Sequence, residues 1–82
     1  MPRLHLADWI VSRLAELERF YGEADLMIAD RREWAVTELR ARKTPVDHGE
    51  VIVYVGGGTL IVLREHAPLP VAIVTLDSTT GG

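Results

Sequence analysis

Two β-branched runs, Val51-Ile52-Val53-Tyr54-Val55 and Thr59-Leu60-Ile61-Val62-Leu63, flank three consecutive glycines, Gly56-Gly57-Gly58. Side chains branched at Cβ favour strands, and glycine supplies the backbone freedom of a tight reversal, so residues 51–63 predict an antiparallel hairpin. Charge then chooses the register. With a three-residue loop, Val55 faces Thr59, Ile52 faces Val62, Glu50 faces Arg64 and His48 faces His66. A two-residue loop, Gly57-Gly58, would set Glu50 against Glu65, and like charges directly opposite are destabilising. The first register is therefore expected.

That register sorts the side chains onto two faces. One carries Val51, Val53, Val55, Ile61 and Leu63. The other carries His48, Glu50, Ile52, Tyr54, Leu60, Val62, Arg64 and His66, charged at the open end of the hairpin and apolar toward the turn. A sheet with one wet face alternates apolar and polar residues throughout, and these strands do not, so the second face also needs a cover. The cover comes either from residues 24–43 of the same chain or from another molecule. On the latter reading Ile52, Tyr54, Leu60 and Val62 form a protein–protein contact, with Tyr54 as its anchor because an aromatic ring with a polar tip suits a partly wet interface.

Residues 6–21 place Leu6, Trp9, Ile10, Leu14, Leu17, Phe20 and Tyr21 within one helical stripe about 140° wide, and Gly22 offers a stop. The stripe, through Trp9, Leu14 and Leu17, should cover the first face. Arg13 interrupts it, either with its stem across apolar surface and its head in water or in a buried pair with an acid. Residues 24–43 are rich in helix formers, and Asp30 and Glu33 have the spacing of a capping box. One helix, a broken helix, or a strand over Leu26–Ala29 followed by a helix are all compatible with this composition. Thr44-Pro45 ends the segment. Val71-Ala72-Ile73-Val74-Thr75-Leu76 follows the connector His66-Ala67-Pro68-Leu69-Pro70 and returns as a third strand, and residues 77–82 read as a flexible tail. The expected fold is α+β: an amphipathic helix and a second helical segment on a three-stranded antiparallel meander.

Composition bounds the chemistry. With 82 residues, 48% of them hydrophobic, the chain suffices for one small domain. The absence of cysteine removes disulfides, thiol catalysis and iron–sulfur ligation. Nine basic residues against twelve acidic ones give a net charge of −3, which argues against a strong field attracting nucleic acid or anionic membrane. Neither a signal peptide nor an apolar run of about 18 residues is seen, so a cytoplasmic, non-membrane protein is expected.

Three local patterns bear on function. His48 and His66 meet through the inferred pairing, beside Asp47, Glu50 and Glu65, as weak candidates for a metal or acid–base site; surface histidines at a strand end are the ordinary alternative. Arg31, Arg32, Arg40, Arg42 and Lys43 make the middle segment basic, and helices followed by a hairpin resemble the order of winged-helix domains, a nucleic-acid reading opposed by the apolar hairpin. Gly81-Gly82 resembles the end of sulfur-carrier and ubiquitin-like proteins. The triple glycine joins two strands rather than opening a helix, so it is a turn and not a phosphate loop. No cofactor is expected. The function expected is a non-enzymatic protein–protein interaction module, homodimeric or bound to another protein, serving an assembly or inhibiting a larger partner.

Overall fold

In the computed structural model, which describes residues 7–29 and 33–76, the hairpin takes the charge-matched register: Val55 faces Thr59, Tyr54 faces Leu60, Ile52 faces Val62 and Val51 faces Leu63. Gly57 and Gly58 make this turn with φ of 106° and 97°, values that an L side chain rarely adopts. The hairpin strands, β2 (Val51–Val55) and β3 (Thr59–Leu63), are the two central strands of the sheet. They are flanked by β1 (Leu26–Ile28) and β4 (Ala72–Thr75), all neighbours antiparallel in the order β1-β2-β3-β4.

The sheet thus has four strands rather than three. The segment 24–43 divides into a short 3₁₀ turn at Glu23–Asp25, strand β1 and helix α2 (Glu33–Ala41). The hairpin draws β1 into the sheet: the Gly56 amide donates to the Asp25 carbonyl at 2.7 Å, and the Ala29 amide donates to the Ile52 carbonyl at 2.8 Å. Three apolar residues between helix-forming flanks carry almost no periodic signal of their own, so pairing decides their conformation. Asp30 lies outside the described residues, and with it the expected capping box. So do Leu6 and residues 77–82.

Helix α1 (Asp8–Tyr21) ends where Gly22, at φ 84°, donates its amide to the Glu18 carbonyl at 3.0 Å. Helix α2 ends differently. Lys43 takes φ 59°, the Thr44 amide reaches back to the Leu39 carbonyl at 2.8 Å and the Lys43 amide to that of Arg40 at 2.9 Å, closing a Schellman turn before Pro45.

The two helices lie on opposite faces of the sheet. Under α1, the half-buried Trp9, Leu14 and Leu17 pack with Leu26 on Val53, Val55, Ile61 and Leu63. Under α2, Ala35 and Leu39 pack on Ile52, Leu60 and Val62, joined by Ala29, Val46, Ala72 and Val74. The chain therefore covers its own second face. No helix among the described residues is long and apolar enough to cross a membrane.

Candidate interaction surface

The covering helix corrects the expected contact. Ile52 and Leu60 are fully buried and Val62 nearly so, all within one chain, and none of them can meet a partner while α2 is in place. Tyr54 is half-buried. Its ring meets that of Trp34 edge-on, with centroids 5.7 Å apart and planes at 78°, an arrangement that favours the positive ring edge over the negative ring face. Tyr54 is thus part of the seal between α2 and the sheet.

At the open end of the hairpin, the predicted charge pair forms. Arg64 donates from Nε and Nη2 to Glu50 Oε2 at 2.9 and 2.6 Å, while the Asp47 amide donates to Glu50 Oε1 at 2.8 Å. Glu50 is only 4% exposed, so both carboxylate oxygens are satisfied where an unpaired charge would be costly. This is a structural clasp. His48 and His66 are both exposed beside it, and the nearest acid to His66 is Glu65 at 3.9 Å. Among the described residues no cluster of three or more histidines and acids could hold a metal ion.

The basic set disperses as well. Arg42 is held by Glu38 at 2.6 Å one helical turn away, Arg40 is exposed, Lys43 shapes the helix end, and Arg31 and Arg32 lie outside the described residues. The β2–β3 hairpin is the buried centre of the sheet, so it cannot serve as the exposed wing of a winged-helix domain.

Exposed apolar side chains lie on both sides of the sheet, with Met27 and Trp34 on the α2 side and a larger group on the α1 side, beside β4. Ile73 pairs with Ile61 and shares its face, yet Ile61 is buried whereas Ile73 is 58% exposed. Val71, just before β4, is also exposed, and its amide donates to the Val62 carbonyl at 2.9 Å. Phe20, at the last turn of α1, is 82% exposed, and Leu69 in the β3–β4 connector is 73% exposed. Between helix and connector runs a groove of ≈ 150 Å³, lined by Leu17, Phe20, Leu63, Pro68, Leu69 and Pro70. Arg13 fixes one wall of it. Its Nη2 donates to the Ala67 carbonyl at 3.1 Å, tying α1 to the connector, while Nη1 lies 3.7 Å from Glu16. The half-buried arginine thus meets an acid, as one of the two expectations had it, although Glu16 is exposed, and it adds a carbonyl partner that neither expectation named.

The sequence held a trace of this surface. Phe20 belongs to the apolar stripe of α1, but a stripe does not say how far along its length a sheet extends beneath it. Ile73 would have been placed on the α1 face by extending the hairpin register to the third strand. Leu69 sits between two prolines and carries no periodic signal.

No family model, no curated protein and no solved structure matches this chain.

Proposed function

We propose that this chain is a non-enzymatic protein–protein interaction module that associates with a second copy of itself through the strip Phe20, Leu69, Val71 and Ile73. The observation behind this reading is the uneven cover of the sheet: β4 is packed on its α2 side and bare on its α1 side, next to a preformed apolar groove. Large exposed apolar side chains gathered in one region mark contact sites more often than scattered ones do. A domain of this size also gains proportionally more than a large one from burying further surface. The stretch from Ala67 to Leu76 holds no charged residue, so two copies can approach along it without like-charge repulsion.

Sedimentation of the wild type and of a Phe20→Ser, Leu69→Ser variant tests the reading. The wild type should approach twice 9.1 kDa as concentration rises, while the variant should stay monomeric with its melting temperature little changed. A wild type that remains at 9.1 kDa up to millimolar concentration would sink the proposal.

A further inference from the structure

We propose that the groove between α1 and the β3–β4 connector binds a small apolar carboxylic acid, with its tail among the groove's apolar side chains and its carboxylate on the Arg13 guanidinium. The groove lies within one copy of the chain, so this inference does not rest on self-association.

Size and lining supply the first argument. The groove of ≈ 150 Å³ is walled by Leu17 and Phe20 from α1, Leu63 from β3, and Pro68, Leu69 and Pro70 from the connector. An apolar cavity of about that volume takes a benzene ring, so the tail that fits is one ring or a chain of about six carbons. The walls are held before any ligand arrives. The Ala67 amide donates to the Arg64 carbonyl at 3.2 Å, the Val71 amide donates to the Val62 carbonyl at 2.9 Å, and two prolines fix φ between them. Little ordering is then left for binding to supply.

Arg13 supplies the second argument, because it makes the groove selective for charge. Its Nη2 donates to the Ala67 carbonyl, but its Nε is buried and donates to no acceptor among the described residues. Its Nη1 lies 3.7 Å from Glu16, longer than a hydrogen bond. A half-buried cation answered by one exposed carboxylate at that distance is incompletely paired, and incomplete pairing costs free energy. A ligand carboxylate beside Nη1 adds a charge-assisted hydrogen bond and a second anion. Glu16 also lines the groove and opposes that anion. Its carboxylate stands in water, where its field is screened, whereas the guanidinium is half-buried and pinned to the connector, so Arg13 sets the sign of the ligand.

The test is a nuclear magnetic resonance titration with hexanoate, hexanol and hexylamine, with the sedimentation mass measured alongside. Hexanoate should shift the signals of Leu17, Phe20, Leu63, Leu69 and the Arg13 Nε–H and saturate with Kd on the order of 1 mM. Hexanol should act at the same apolar residues about tenfold more weakly, and hexylamine should leave them unmoved. Glu16→Gln, which leaves Arg13 in place, should tighten hexanoate about twofold to threefold. Arg13→Met should bring hexanoate down to the affinity of hexanol; should that variant fail to fold, the Glu16→Gln result still decides. Equal binding of hexanoate and hexanol by the wild type, or shifts that do not saturate, would overturn the site. Saturable, acid-selective binding by a chain that stays at 9.1 kDa would support the site and overturn the interaction reading. A dimer indifferent to hexanoate would do the reverse.

Discussion

The two faces of the sheet are covered by helices of unequal length, and the shorter helix covers more. Helix α2 has 9 residues and buries Ala35 and Leu39 completely, whereas α1 has 14 residues and buries none. The difference lies in the chemistry of the contact. Leu39 and Ala35 share one buried cluster with Ala29 and Ile52, Val46 and Ala72 pack against it, and Trp34 closes against Tyr54. On the other side, α1 stands on five strand residues, Leu26 among them, and Ile73 lies beyond its cover. Cover therefore follows the position and size of the facing side chains rather than helix length. The α2 face leaves only Met27 and Trp34 partly exposed among the described residues, and the α1 face is left with a larger apolar flank.

If that contrast is right, core truncations should separate the faces. Leu39→Ala should cost about 3 kcal/mol of unfolding free energy in urea, while Leu17→Ala, half-buried at the start, should cost about 1–2 kcal/mol. Equal losses would mean that the faces are sealed alike. Tyr54→Ala should come next, at about 2–3 kcal/mol, through lost packing against Trp34. Its effect should fall on folding and not on self-association once both proteins are compared fully folded; a selective loss of association would return the contact to the α2 face.

The clasp at the open end sharpens the comparison further because it belongs to neither helix. Arg64→Ala should cost about 2 kcal/mol, since it strips a buried carboxylate of two donors, while Asp47→Ala, which removes only an exposed carboxylate 3.5 Å from Arg64, should cost less than about 0.5 kcal/mol. Chemical denaturation of both variants decides it. The smallest effect is a gain: Lys43→Gly relieves a left-handed residue at the end of α2 and should add about 0.5–1 kcal/mol, read as a raised urea midpoint. A loss there would show that the Lys43 side chain contributes more than its backbone strain costs.

Much of this architecture was legible in the chain. The hairpin, its register and the Glu50–Arg64 pair follow from β-branched runs, a glycine turn and charge matching, which are local or nearly local signals. The α+β class and the first helix follow from periodicity. Strand β1 was legible only as one alternative, because Leu26-Met27-Ile28 is too short to show alternation and owes its form to β2. The expected contact residues proved to be covered by the chain itself for a related reason. Ile52, Tyr54, Leu60 and Val62 do need a cover, but no property of those residues reveals that Ala35 and Leu39, across an intervening loop, provide it. Apolar pattern shows which surfaces must be buried, while tertiary placement decides which remain bare.

The most direct test is to follow the backbone and methyl nuclear magnetic resonance signals of the wild type through a dilution series. Concentration-dependent shifts should gather at Phe20, Leu69, Val71, Ile73 and Thr75, with Trp34, Tyr54 and Met27 unmoved. Shifts centred on Trp34 and Tyr54, or none at any residue between micromolar and millimolar concentration, would contradict the claim that the bare flank beside β4 is where this protein meets its partner.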